Sequence, residues 1–74
     1  MNHTEMENTL KKQYPKAELA VIDVTGSGSN FEVRMSNSAF DSSLSRIDKH
    51  KSIMGLFDEQ LKSGEIHALS IKLF

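Results

Sequence analysis

The 74-residue chain sets 9 Lys and Arg against 10 Asp and Glu and holds no cysteine, which suits one domain near the lower size limit for an unstapled core and excludes disulfides. It equally excludes any metal or cluster centre in which this chain alone supplies thiolates, so an iron-sulfur or redox role would need sulfur from a partner. A formal charge of −1 gives no overall pull toward nucleic acid or anionic membrane, and no apolar run nears the roughly 20 residues that span a bilayer, so the chain reads as soluble and cytoplasmic.

Thr4 followed by Glu7 matches a capping box, and Met6, Leu10 and Tyr14 fall four apart before Pro15 stops the pattern. That spacing predicts a short first helix with Lys11, Lys12 and Gln13 on its solvated side. Residues 19–25 are rich in β-branched side chains, and 31–35 alternate Phe31, Val33 and Met35 against Glu32 and Arg34, predicting two strands. Between them Gly26-Ser27-Gly28-Ser29-Asn30 tolerates positive φ, which favours a five-residue loop and an antiparallel hairpin. Asp23 interrupts the first strand's apolar character. With no second carboxylate beside it, a solvent-facing or edge position is preferred to a catalytic one.

Residues 36–43 are turn-rich, with Phe40 the anchor to the core. Ser42 or Ser43 can cap the helical region that follows, where Leu44, Ile47, Met54, Phe57 and Leu61 form a stripe and His50 fills its gap. Ile53 and Leu56 widen the stripe, and Gly55 leaves open one long helix or two short ones. After Ser63-Gly64 closes this region, alternation puts His67, Leu69, Ile71 and Leu73 on one side of a third strand and Ile66, Ala68, Ser70 and Lys72 on the other.

A helical crossover between the second and third strands suits parallel pairing of right-handed sense. The expected architecture is therefore α+β, one domain over 1–74, ordered α-β-β-α(α)-β with a three-stranded mixed sheet covered by helices on one face. Its expected core is Leu10, Leu19, Val21, Phe31, Val33, Phe40, Ile47, Met54, Phe57, Leu61, Leu69 and Ile71.

The chemistry on offer is sparse. Gly26-x-Gly28 opens into a strand rather than a helix, which fits a hairpin and not a dinucleotide or phosphate loop. The serines have no local base and orienting group, and nothing in the spacing joins His50 and His67 to Asp48, Asp58 or Glu65, so an enzyme is the weakest class. Arg46, Lys49 and Lys51 read either as a solvated helical face balanced by Asp48 or as phosphate contacts. His50 reads as a half-buried structural group or a ligand. His67, at a strand end, reads as a hydrogen-bonded structural group or as a metal ligand through its free nitrogen.

Gly26-Ser27-Gly28-Ser29-Asn30-Phe31-Glu32-Val33, Ser38-Ala39-Phe40, Lys49-His50-Lys51 and Ile66-His67-Ala68-Leu69-Ser70-Ile71-Lys72 together resemble the BolA family, in order and over nearly the whole chain. The Gly-x-Gly-Ser-x-Phe loop is most similar to its short-loop, IbaG-like branch. The resemblance implies a fold like class II KH domains and a partner, a monothiol glutaredoxin of the Cys-Gly-Phe-Ser type. It further implies a 2Fe-2S cluster shared between the two, with thiolates from glutaredoxin and glutathione and a histidine from this chain, and no cofactor in the isolated chain. His67 occupies the family's C-terminal histidine position and is the metal-ligand candidate, with His50 a substitute if the helix brings it near. Gly26, Gly28 and Asn30 would border the partner. The chain departs from many relatives in having no histidine or cysteine in this loop, and Asn30 is a poor ligand for iron. The family is also associated with DNA binding in transcriptional and stress control, for which Arg46, Lys49 and Lys51 would contact phosphate, although the KH Gly-x-x-Gly clamp is missing. Alone, the chain is expected to be a monomer or weak homodimer.

Overall fold

The computed structural model describes every residue, Met1–Phe74. Helix α1 (His3–Gln13) buries Met6 and Leu10 completely, with Tyr14 half-buried beyond its end. Its cap is Asn2 rather than Thr4: the Asn2 side-chain oxygen accepts the Glu5 N–H at 2.8 Å, which starts the helix before the expected capping box. Glu7, freed from that box, reaches the next element instead. Its Oε1 accepts the Val21 N–H at 3.1 Å.

Strands β1 (Leu19–Asp23) and β2 (Asn30–Met35) pair antiparallel, and β2 pairs parallel with β3 (Ala68–Leu73), in the order β1-β2-β3. The antiparallel hairpin, the parallel third strand and the mixed sheet all match the expectation. Strand β1 is shorter than residues 19–25, because Asp23 turns its side chain into the loop. Alternation within the sheet buries Val21, Phe31, Val33 and Met35 on the helix-covered face and leaves Ala20, Arg34, Ser70 and Lys72 exposed.

A 3-10 turn (Asn37–Ala39) leads to Phe40, which anchors as expected, packing against the core and against Tyr14 with ring centroids 5.0 Å apart and planes tilted by 53°. Helix α2 (Arg46–Gly55) is capped by Ser45, whose hydroxyl accepts the Asp48 N–H, and not by Ser42 or Ser43. A separate short helix α3 (Asp58–Ser63) follows. The break changes which face is buried. Leu56 and Phe57 donate back to Ile53 and Met54 in tight turns, and Phe57 leaves helical geometry at φ −117° and ψ 20°. Phe57 and Leu61 thus lie across a change of axis, and the stripe extrapolated backward from them runs out of phase on α2. Ile53 is fully buried where Ile47 and Met54 were expected; Ile47 is 66% and Met54 37% exposed.

One cluster of Met6, Leu10, Val21, Phe31, Val33, Met35, Ile53, Phe57 and Ile66 forms the core, ringed by half-buried Leu19, Phe40, Leu61, Leu69 and Ile71 among others. No helix is long and apolar enough to cross a membrane.

Candidate functional site

Parallel pairing of β2 with β3 brings the starts of both strands to the same end of the sheet, with Asn30 opposite Ala68. The residues just before each start therefore meet. The Ser29 carbonyl accepts the His67 N–H at 2.7 Å and the Ala68 N–H at 3.3 Å. This places the His67 backbone against the end of the loop that carries Gly26 and Gly28, one residue from Asn30.

His67 does not head a buried row. The alternation holds from Ala68 to Leu73, but Ile66 is buried and His67 exposed, a phase slip before the strand begins. The cause is the helix exit: the Ile66 N–H donates to the Gln60 carbonyl, which turns Ile66 under α3 and its neighbour outward. Gly64, at φ +82°, lets the chain reverse there, and a methyl group on its Cα would stand 4.0 Å from His67 Nε2. The imidazole thus lies over the Gly64 turn, accessible and outside every side-chain hydrogen bond and ion pair of the fold.

The loop is ordered from below. Asp23 Oδ1 accepts the Gly26 N–H and Oδ2 accepts the Gly28 N–H, each at 3.0 Å, while the Val24 N–H donates to the Asn30 carbonyl at 2.9 Å. Gly26 and Gly28 take φ of +74° and +75°, a conformation that costs other residues about 1–2 kcal/mol. Asp23 is accordingly half-buried and engaged, not simply solvent-facing. A legible signal was present: an aspartate ending a strand, with glycines three and five residues on, is a side-chain-to-backbone turn pattern. Above it, Thr25 Oγ1 to Ser27 Oγ (2.6 Å) and Ser27 Oγ to Ser29 Oγ (2.8 Å) form a row of hydroxyls, joined by Asn30 Nδ2 donating to Thr25 at 3.4 Å.

His50 is half-buried on α2. None of the ion pairs joins a histidine to a carboxylate: Asp58 pairs with Lys62 at 2.9 Å and Glu65 with the Met1 amine at 3.1 Å. No three His, Asp or Glu side chains gather as a metal-holding group. His67 stands as a single accessible imidazole, with no second histidine or carboxylate paired to it.

The basic helix divides. Arg46 and Lys51 are exposed, whereas Lys49 Nζ donates to Asn37 Oδ1 at 3.3 Å and lies 6.0 Å from the Phe40 ring centroid. On the open face of the sheet Glu32 takes Arg34 at 2.7 Å and Lys72 at 3.4 Å. The Arg34 hydrogen bond first, and Lys72 in addition, hold its carboxyl below the usual range. Burial pushes the Tyr14 hydroxyl up, opposed by its hydrogen bond with Ser52. A cleft of about 180 Å³, lined by Gln13, Tyr14, Pro15, Lys16, Ala17, Ser38 and Ala39, contains no histidine or carboxylate.

BolA1 from Arabidopsis thaliana superposes with a TM-score of 0.80 at 27% identity, covering 96% of this chain and 87% of its own. The BolA domain of SufE1 from the same plant gives 0.79 at 32% identity with the same coverages, 96% and 87%. The uncharacterized protein RP812 of Rickettsia prowazekii (strain Madrid E) is 31% identical over 68 residues, 92% of this chain and 86% of that protein. The family described as BolA-like protein matches residues 1–74. With the α-β-β-α-α-β order, the mixed sheet and the histidine beside the glycine loop, this match means that the chain belongs to the BolA family.

Proposed function

We propose that this protein is a small, non-enzymatic, cytoplasmic adaptor that binds a monothiol glutaredoxin of the Cys-Gly-Phe-Ser type and shares a 2Fe-2S cluster with it and glutathione. Its role lies in cluster assembly and trafficking or iron homeostasis. The observation that carries the reading is His67: an exposed imidazole without a side-chain partner, its backbone pinned to Ser29 beside a loop of small residues. A neutral imidazole is a good ligand for iron, and small neighbours leave room for a second protein's surface. The absence of cysteine assigns the thiolate ligands to the partner. Within the chain, Ser29 and Gly64 hold the approach to the imidazole, and the loop of Gly26, Gly28 and Asn30 borders it.

The test is anaerobic reconstitution with a monothiol glutaredoxin, glutathione, iron and sulfide, read by visible circular dichroism. The spectrum changes when this protein is added, and His67→Ala abolishes the change. An identical spectrum and cluster lifetime for the variant would remove the ligand assignment.

A second reading, DNA binding in transcriptional or stress control, draws on exposed Arg46 and Lys51. Replacing both would weaken duplex binding and flatten its salt dependence, since each phosphate contact releases counterion. No mobility shift of duplex DNA at low salt would end that reading.

A further inference from the structure

We propose that Asp23 is the positioning residue for the His67 site: its carboxylate sets the shape of the 24–29 loop, and the loop sets the surroundings of the histidine. The functional consequence rests on the cluster-sharing reading above; the structural claim does not.

Asp23 is the last residue of β1, opposite Phe31 in the ladder. Its two oxygens serve two different amides, Gly26 through Oδ1 and Gly28 through Oδ2, at 3.0 Å each. Both glycines adopt positive φ, so their N–H groups turn inward to the base of the loop. Two inward donors need two acceptors on one short side chain. An ionised carboxylate meets that demand with charge-assisted hydrogen bonds, whereas an asparagine offers one acceptor and must point its NH₂ group at the other amide. The residues between, two glycines and the hydroxyl row of Thr25, Ser27 and Ser29, have little side-chain bulk to restrict them. The Val24 to Asn30 bond closes the loop, the Ser29 carbonyl ties its far end to His67 and Ala68, and the Ser27 N–H reaches Thr25 Oγ1 at 3.4 Å; the two glycine amides between are anchored by Asp23.

The effect reaches His67 through one atom. Ser29 ends the Asp23-ordered loop, and its carbonyl is the acceptor for the His67 N–H. Beyond this point the β2–β3 ladder takes over, with Asn30 opposite Ala68 and Phe31 opposite Leu69. Because the Ser29 carbonyl also takes the Ala68 N–H at 3.3 Å, the influence of Asp23 reaches His67 and the first residue of β3 and leaves the rest of the ladder in place. Asp23 has its hydrogen bonds to the loop backbone and none to the imidazole, so it acts on the histidine through the loop.

The experiment uses the free protein first. Amide hydrogen exchange followed by NMR is compared for wild type, Asp23→Ala and Asp23→Asn. In Asp23→Ala the Gly26, Gly28 and His67 amides exchange faster by about tenfold or more, while the Val33 and Ile71 amides keep wild-type protection. In Asp23→Asn one glycine amide stays protected and the other does not. Wild-type exchange at Gly26, Gly28 and His67 in Asp23→Ala would overturn the proposal, as would loss of protection spread evenly over the sheet. The glutaredoxin complex is measured second, where Asp23→Ala shortens the cluster lifetime relative to wild type. If His67→Ala leaves that complex unaltered, the cluster reading fails, and the amide measurement still decides the positioning claim.

Discussion

Ile47 and Ile53 share helix α2, yet Ile53 is fully buried and Ile47 is 66% exposed. Two identical side chains on one helix therefore give a direct test of which face meets the sheet. Ile53→Ala is expected to cost about 2–5 kcal/mol through lost burial and a residual cavity. Ile47→Ala is expected to stay within about 0.5 kcal/mol. Urea denaturation of the two variants checks this, and equal losses would contradict the placement of α2.

The outer edge of β1 is secured by Glu7, which reaches from α1 to accept the Val21 N–H at 3.1 Å. A strand edge left open is both less stable and a template for pairing with other chains. Glu7→Ala should lower stability by about 1–2 kcal/mol, as expected for a part-buried amide losing its acceptor. Glu7→Gln keeps an acceptor and should recover most of the loss, which thermal denaturation would resolve.

Glu32 links acid sensitivity to the open face of the sheet. Arg34, by its hydrogen bond, and Lys72 depress the folded-state pKa. A depressed carboxyl contributes stability that is fully present above its unfolded value and disappears as pH falls through the folded one. The wild-type denaturation midpoint should therefore fall on acidification below the ordinary glutamate value more steeply than that of Glu32→Gln. Parallel curves for the two proteins would show that the pair contributes nothing measurable.

Gly64 holds φ +82°, with His67 Nε2 the nearest atom to an added methyl, at 4.0 Å. The space is adequate, so the cost of Gly64→Ala is conformational, about 1–2 kcal/mol. Because the imidazole lies over this residue, the His67 ring resonances should shift as well. A destabilised variant with unmoved ring resonances would show that the ring does not rest there.

Much of the fold was legible because its signals are local. Phe31, Val33 and Met35 alternate within one short strand, and Gly26 and Gly28 mark the hairpin between two β-branched runs. Helix α2 was harder, since a hydrophobic period carries phase only while the axis is continuous, and the axis breaks at Leu56 and Phe57. The inward turn of Ile66 was hidden for a related reason: it depends on a bond to Gln60 across the exit of α3, not on the alternation that governs Ala68 onward. His67 and the glycine loop could each be picked out from sequence. Their meeting at Ser29 required the parallel register, and Asp23, read from sequence as an edge or solvent-facing residue, shows its role through the two amides its oxygens take.

That register separates what the site is made of from what holds it. Asp23 and Phe31 face each other across the hairpin, Asn30 faces Ala68, and these ladder positions bear the load on both sides of the loop. The ladder thus fixes the course of the histidine's strand, as a bracket does, while the interval from Thr25 to Ser29 is the fitting that sets what stands beside it. A side chain grafted next to Ser29 would arrive beside the carbonyl that holds the His67 amide, with the β2–β3 ladder from Phe31 and Leu69 onward unchanged.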